Sequence, residues 1–212
     1  MNPSVSINIL CGRERDGWIN PQLVNRLFEA IGDGMQFRRQ FGVDLTQGVT
    51  PVEKARNHVV TGFLKSDHKW LLMIDSDVIP PPHFLRLIDA AEAEGKFIVG
   101  VPCPIIGDAG LMWNVANKRD DLHSNFYDSL PPNWTRCDYL GAGFLAVRRC
   151  VLEALKSNWF DRTPTMGEDF AFCERAKAAG FASWFHGAFQ CDHLHSMSLL
   201  DAMRAKQWVL LH

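Results

Sequence analysis

Apolar and polar residues alternate along residues 4–11, which predicts a first β-strand because successive strand side chains point to opposite faces. A helix is expected from Asn20, since Asn20 can cap it and Pro21 suits the first helical position. A 3.6-residue apolar stripe carries this helix to Gly32, where we expect it to end. Residues 35–43 are predicted to form a second strand.

Residues 50–53, Thr-Pro-Val-Glu, match a capping box with proline in the first turn and predict the start of a second helix. Residues 69–75 follow with a nearly continuous apolar run that is too short for a helix. Such a run favours a strand covered on both faces, as in a parallel sheet. After a further helix, residues 97–101 read as another buried strand, so the alternation through residues 1–103 predicts an open α/β sheet.

The second half of the chain has a different pattern. Residues 104–135 are rich in Gly, Pro, Asn and Asp, which predicts loops and short strands. The apolar run 144–147 predicts a strand, and a short helix should follow it. The last predicted elements are a helix at 168–179, a strand at 183–186 and a terminal helix at 198–209.

Composition limits the class of protein. The 212 residues are 47% hydrophobic and carry 22 basic against 24 acidic side chains, which excludes a disordered chain and gives no overall field for binding nucleic acid. Six cysteines without a CxxC pair are expected to be reduced, mostly buried thiols. Neither a signal peptide nor an apolar run of membrane-spanning length is evident, so we expect a cytoplasmic protein with no integral membrane segment.

The segment WLLMIDSDVIPPP, residues 70–82, is the most informative for function. It places Asp75 and Asp77 at the end of a buried strand, the edge where open α/β sheets bind ligands. Two carboxylates spaced in this way can hold a hard divalent cation, which in turn can neutralise a diphosphate. A polar turn that merely closes the strand is the alternative interpretation.

Four ordered segments resemble GT-A glycosyltransferases, in particular the inverting enzymes of glycosyltransferase family 2. Residues 70–90 (WLLMIDSDVIPPPHFLRLIDA) resemble their DxD segment, and residues 53–60 (EKARNHVV) resemble the helix one strand earlier. Residues 140–149 (LGAGFLAVRR) resemble the small-residue strand start, and residues 166–180 (MGEDFAFCERAKAAG) resemble the helix that contains an ED pair. The likeness covers about residues 50–195.

The resemblance implies a metal site and a donor site. Asp77 would ligate Mn²⁺ or Mg²⁺, and Asp75 would contact the metal or the donor's ribose. A histidine near the C-terminus often completes the metal site in these enzymes. His193 is the better match for it and His195 the fallback.

The same resemblance implies the catalytic groups. Asp169 would be the catalytic base, and Glu168 would position the acceptor or the sugar. Arg56, Asn57 and Gly143 would contact the nucleotide-sugar. Three of them have a plain structural alternative: Asp169 in a first helical turn can simply suit the helix dipole, Arg56 can pair with a nearby carboxylate, and Gly143 can serve packing.

The chain also departs from the family pattern. The usual turn after the first strand is missing, so Arg13 or Arg15 is a candidate to contact phosphate and Asp44 a candidate to contact the base. Aromatic faces can stack on sugar rings, and the candidates in the irregular half are Trp113, Trp134 and Trp159.

The resemblance therefore implies a single GT-A (Rossmann-like) α/β domain over residues 1–212, with a mostly parallel central sheet flanked by helices and a smaller irregular acceptor-side region. Residues 1–103 would be the nucleotide-binding half, and residues 104–212 the acceptor-binding and catalytic half. The implied activity is the metal-dependent transfer of a sugar, with inversion, from a nucleoside-diphosphate sugar. A UDP-sugar is the preferred donor.

The acceptor is left open among a glycan, a lipid-linked sugar, a protein and a modified nucleobase. Two other functions fit the same residues. One is a metal-dependent nucleotidyltransferase, which also brings carboxylates and a metal to a diphosphate. The other is a nucleotide-sugar binding protein without turnover.

Overall fold

The structure is a computed structural model that describes residues 2–11, 19–107, 110–120, 123–194, 200 and 203–204. Its helices are α1 (Pro21–Gln36), α2 (Val52–Phe63), α3 (Leu85–Ala93), α4 (Arg149–Leu155) and α5 (Glu168–Ala178). Its strands are β1 (Val5–Cys11), β2 (Phe41–Gln47), β3 (Trp70–Asp75), β4 (Val78–Ile79), β5 (Ile98–Gly100), β6 (Pro104–Gly107), β7 (Gly110–Trp113), β8 (Val115–Lys118), β9 (Ser124–Phe126), β10 (Trp134–Cys137), β11 (Tyr139–Leu140), β12 (Phe144–Arg148), β13 (Ser183–His186) and β14 (Asp192–His193).

In the described part of the chain, seven strands form a central sheet in the order β10-β13-β5-β12-β3-β1-β2. Strands β2, β1 and β3 are parallel neighbours, and so are β13 and β5. Strand β12 lies antiparallel between β3 and β5, and β10 pairs antiparallel with β13 at one edge. The expected α/β architecture with a mostly parallel sheet is confirmed, with β12 and β10 as the reversed strands.

Strand β3 lies at the centre of the hydrophobic core. Its residues 70–74 are fully buried, and they divide between two faces of the sheet. Leu71 and Met73 pack with α2, whereas Leu72 and Ile74 pack with the core that includes Leu23 of α1. Helices therefore cover both faces of this strand, as its continuous apolar run predicted.

Helix α1 begins as predicted but ends later. The Asn20 side chain accepts a hydrogen bond from the Gln22 amide at 2.7 Å, and the helix then continues past Gly32 to Gln36. A Cβ at Gly34 would lie 2.6 Å from the Phe41 ring, so this second glycine lets β2 pack against the helix. The predicted end at Gly32 is therefore wrong. The second predicted strand is present but displaced, since it runs over Phe41–Gln47 rather than 35–43.

The predicted capping box of α2 does not form. The helix begins at Val52, its N-cap is Pro51, and no side-chain bond caps it. Proline has no side-chain acceptor and so cannot cap the helix. The Thr50 hydroxyl lies one position before the N-cap, which is too early to act as the cap. The predicted helix itself is present.

The remaining predicted elements of the second half are present as well. Five short strands, β6 to β10, begin within residues 104–135, and α4, α5 and β13 lie where the sequence placed them. The terminal helix expected at 198–209 falls mostly outside the described residues. All six cysteines are free thiols, and five are buried, as expected. None of the helices described is both long and apolar enough to cross a bilayer.

Arg149, the first residue of α4, is hydrogen-bonded to the end of α2 and the residues that follow it. Its guanidinium donates to the carbonyl oxygens of Phe63 (3.1 Å), Leu64 (3.3 Å), Ser66 (2.6 Å) and His68 (2.9 Å). A helix leaves its last carbonyl groups without partners, and a cation there also suits the helix dipole. Arg149 therefore secures the chain between α2 and β3.

We expect Arg149→Met to lower the free energy of unfolding by about 2–3 kcal/mol, because several charge-assisted hydrogen bonds to carbonyl groups are lost together. Urea denaturation measures this change. Arg119→Met is the matched control, since Arg119 is 56% exposed, and it should change the free energy by no more than about 0.5 kcal/mol. Equal effects of the two substitutions would contradict this role of Arg149.

Candidate active site

The DxD segment lies at the carboxyl edge of the central sheet. Asp75 is the last residue of β3, and its amide donates to the Gly143 carbonyl at 2.9 Å. The next residue, Ser76, donates its amide to the carbonyl of Leu10 on the neighbouring strand β1 at 3.0 Å. Asp75 is half-buried, whereas the Asp77 side chain is 56% exposed. The turn thus presents a half-buried carboxylate, that of Asp75, and an exposed one, that of Asp77.

His193 reaches Asp77 because the short strands β14 and β4 pair, with His193 opposite Val78. The His193 Nε2 atom lies 3.3 Å from Asp77 Oδ2, and Nδ1 lies 3.1 Å from the Pro104 carbonyl oxygen. A carbonyl can only accept, so this contact assigns a proton to Nδ1. In the neutral ring, Nε2 then points a lone pair at the carboxylate, and a proton on Nε2 removes the repulsion.

The direction of the His193 pKa shift follows from these contacts. The hydrogen bond to Asp77 raises the pKa of His193 above its ordinary value, against the lowering effect of burial. A metal ion bound between the two side chains would take the place of that proton.

The described residues bring two of the three implied metal ligands together. No three His, Cys, Asp or Glu side chains among them are grouped so as to hold a metal ion. Asp77 and His193 face each other, whereas both Asp75 carboxylate oxygens lie 3.1 Å from Nη2 of Arg56. The structure thus departs from the implied set of Asp75, Asp77 and His193. Mg²⁺ is commonly held by one or two carboxylates together with substrate phosphates, so the single carboxylate of Asp77 still fits such an ion.

Arg56 is a buried cation at the centre of the acidic residues. It is only 2% exposed, and besides Asp75 it contacts Glu168, with Nε 3.5 Å from Oε1. Burial alone would lower the pKa of Arg56, but the charges of Asp75 and Glu168 raise it overall. Its Nη1 atom is enclosed and has no hydrogen-bond partner among the described residues.

Glu168 and Asp169 form the first turn of α5, directly after the N-cap residue Gly167. Asp169 Oδ1 accepts a hydrogen bond from the Phe170 amide at 2.8 Å. Burial, reinforced by the nearby charge of Glu168, raises the pKa of Asp169 to about 6. Asp169 therefore titrates close to neutral pH, where a carboxylate is most effective as a general base.

Two clefts meet at Asp75. The larger, about 920 Å³, lies over the carboxyl ends of the strands and is bordered by Leu10, Asn20, Val49, Ala55, Asp75 and Asp77. The smaller, about 260 Å³, is bordered by Arg56, Asp75, Gly143, Glu168, Asp169 and His193. The DxD turn thus borders a cleft of ligand size on one side and the ED pair on the other.

Gly143 and Asn57 occupy different positions relative to these clefts. A Cβ at Gly143 would lie 3.2 Å from Val78 and 3.9 Å from Asp75 Oδ2. The absence of a side chain at Gly143 therefore leaves space beside Asp75 in the smaller cleft. The Asn57 amide is instead hydrogen-bonded to Phe160 and Asp161. The resemblance implied that Asn57 contacts the nucleotide, but the structure directs its side chain to the segment before α5.

Four other sequence candidates, all among the described residues, are not brought to the site. Asp44 lies in the middle of β2, next to Asn8 of β1, rather than at the strand end expected for a base contact. Trp113 and Trp159 are buried and cannot stack on a ligand, and Trp134 donates its indole N–H to Glu94. The proposed contacts of Arg13, Arg15 and His195 lie outside the described residues.

Three groups that border or support the site were not singled out from the sequence. The rings of Phe126 and Phe170 border the smaller cleft, with centroids 6.1 Å apart. Phe170 could have been found as the residue after the ED pair. Phe126 and the Pro104 carbonyl gave no sequence signal, because only the packing of the β6–β9 region brings them to the site.

The sequence matches no family model and no curated protein. Solved structures nevertheless share its fold. A197 from STIV aligns over 91% of this chain and 86% of its own, with a TM-score of 0.60 and 16% identity. GalNAc-T7, solved with UDP, GalNAc and Mn²⁺, aligns over 91% of this chain with a TM-score of 0.59 and 12% identity. The chain spans less than half of GalNAc-T7, since the match covers 44% of that protein.

These likenesses define the fold class. The chain has a GT-A-like α/β fold, with a mixed central sheet whose parallel core strands are flanked by helices and with small antiparallel sheets beside it. The GT-A architecture expected from the four sequence motifs is confirmed.

Proposed function

We propose that this protein transfers a sugar from a nucleoside-diphosphate sugar, preferably a UDP-sugar, to an acceptor hydroxyl. The observation that carries the proposal is the meeting of two clefts at Asp75, one of them bordered by the exposed Asp77 and the other by Asp169. A transferase of this kind needs one site for the nucleotide and another for the reacting hydroxyl. The GT-A-like fold, shared with a protein solved with UDP, GalNAc and Mn²⁺, supports this choice.

The larger cleft is the proposed donor site. Its volume of about 920 Å³ suits a nucleotide-sugar, and it opens at the carboxyl ends of the parallel strands. Asp77 and His193 would hold Mn²⁺ or Mg²⁺ at its border. The ion, when bound, would supply positive charge to the departing diphosphate.

The smaller cleft is the proposed site of sugar transfer. The acceptor oxygen attacks the anomeric carbon as the bond from that carbon to the diphosphate oxygen breaks, with inversion. The Asp169 carboxylate takes the hydroxyl proton, because its raised pKa makes it a better base than an ordinary aspartate. Arg56 contacts both Glu168 and Asp75 and so holds these two carboxylates in place.

The rate of sugar transfer should depend on pH through Asp169. A carboxyl group with a pKa of about 6 is protonated below that pH and cannot accept a proton, so the rate should fall about tenfold per pH unit below about pH 6 and level off above it. Release of nucleoside diphosphate at saturating donor and Mn²⁺ measures the profile. The residual rate of Asp169→Asn should lack this inflection, and a flat wild-type profile across the same range would contradict the assignment.

Thermal unfolding with a panel of nucleotide-sugars tests the donor site. UDP-, GDP-, CMP- and dTDP-sugars are each added with and without Mn²⁺, and a ligand that binds the folded protein raises the unfolding temperature. We expect a UDP-sugar to give the largest increase, and only with Mn²⁺ present. No increase with any donor would contradict the proposed function.

A further inference from the structure

The Asn57 side chain joins α2 to the segment that leads into α5. Its Nδ2 donates to Asp161 Oδ1 at 2.7 Å, and its Oδ1 accepts from the Phe160 amide at 2.9 Å. A carboxylate oxygen accepts and a backbone amide donates, so the two partners together fix which way the Asn57 amide points. Both polar atoms of the Asn57 side chain are therefore hydrogen-bonded to this segment.

The same segment is fixed from its other side by α5. Arg175 donates to the carbonyl oxygens of Trp159 (3.2 Å) and Asp161. Phe160 is fully buried and stacks on Phe172 of α5, with ring centroids 4.6 Å apart. Phe160 and Asp161 therefore form a fixed joint between α2 and α5.

This joint is close in the chain to both halves of the site. Residues 162–167 connect Asp161 to Glu168, and within them the Thr163 amide donates to the Met166 carbonyl at 3.2 Å. On α2, the neighbour of Asn57 is Arg56, which contacts Asp75 and Glu168. One turn of α2 thus contacts the DxD strand, the ED pair and the segment that precedes the ED pair.

We propose that Asn57 is a positioning residue, which sets the place of Asp169 relative to Asp75 by holding Phe160 and Asp161. This inference rests on the proposed function. Asn57 acts through the protein and makes no contact with the donor. A shift of about 1 Å in a reacting group can cost about 100-fold in rate. We expect a loss of this size when the contact between Asn57 and Asp161 is broken.

An exchange of the two side chains tests this role. Asn57→Asp places two carboxylates against each other and breaks the Asn57–Asp161 contact, so kcat for release of UDP should fall about 100-fold. The double variant Asn57→Asp with Asp161→Asn has one amide and one carboxylate again, with an acceptor left for the Phe160 amide. It should recover kcat to within about threefold. Asp161→Asn alone keeps an acceptor for Asn57 and is the matched control, with kcat also within about threefold.

The Michaelis constant separates positioning from donor contact. Across the three variants, KM for the fastest UDP-sugar and the Mn²⁺ dependence should stay within about threefold of the wild type. A raised KM with unchanged kcat in Asn57→Asp would overturn the proposal, and so would a folded double variant that fails to recover. Wild-type kcat in Asn57→Asp would overturn it as well.

Amide hydrogen exchange tests the joint without turnover and so separates its failure from that of the proposed function. Exchange over residues 160–170 should be faster in Asn57→Asp and return to the wild-type rate in the double variant. Unchanged exchange in Asn57→Asp would overturn the positioning role. A wild type that turns over no donor, with exchange altered and restored as described, would contradict the proposed function alone.

Discussion

Asp77→Ala is expected to abolish the Mn²⁺-dependent binding of the donor. Asp77 is the exposed carboxylate of the DxD turn and faces Nε2 of His193, so its removal leaves one of the two proposed protein ligands. The increase in unfolding temperature that Mn²⁺ and a UDP-sugar give together should disappear, while the unfolding temperature of the free protein stays the same within a few degrees.

Asp44→Ala is the matched control for this substitution. Asp44 is an exposed acid in the middle of β2 and borders neither of the two site clefts. The variant should keep the full Mn²⁺-dependent increase. Retention of that increase in Asp77→Ala would show that the metal is held elsewhere.

Asp169→Asn is expected to remove sugar transfer and leave donor binding within about threefold of the wild type. Asparagine keeps the shape of the side chain but cannot take the hydroxyl proton. Loss of a general base typically costs about 10²–10⁴ in rate, and we expect a loss in this range. The measurement is the turnover number alongside titration of the donor in the presence of Mn²⁺.

Glu174→Gln provides the control on the same helix. Glu174 accepts a hydrogen bond from the Tyr139 hydroxyl at 2.6 Å, and glutamine can accept the same bond. Its turnover number should stay within about threefold of the wild type. Full activity in Asp169→Asn would exclude Asp169 as the base.

The fold could be predicted from the sequence where burial is unambiguous. Strand β3 is covered on both faces, and its unbroken apolar run predicts this burial. Strand β2 lies at the edge of the central sheet and exposes Val43 and Leu45, so its pattern does not distinguish core from surface. The end of α1 was placed too early, because a glycine usually ends a helix, whereas packing against Phe41 carries this helix onward.

The candidate site could be predicted only in part. Asp75 and Asp77 follow a buried strand, and Glu168 and Asp169 open a helix, so their positions follow from local pattern. The sequence allowed Arg56 to pair with a nearby carboxylate or to contact the donor, and only the structure identifies Asp75 as its partner. Contacts between distant segments, such as those of Pro104 with His193 and of Asn57 with Asp161, have no local signal and required the structure.

Sugar transfer requires that the nucleotide-sugar be cleaved between the sugar and the diphosphate. The decisive experiment is to identify the nucleotide product by chromatography after incubation with UDP-sugars and Mn²⁺. We predict UDP as the product, formed by the wild type and lost in both Asp77→Ala and Asp169→Asn. Release of pyrophosphate would indicate a nucleotidyltransferase instead, and binding with no nucleotide product from any donor, with or without candidate acceptor sugars, would contradict sugar transfer.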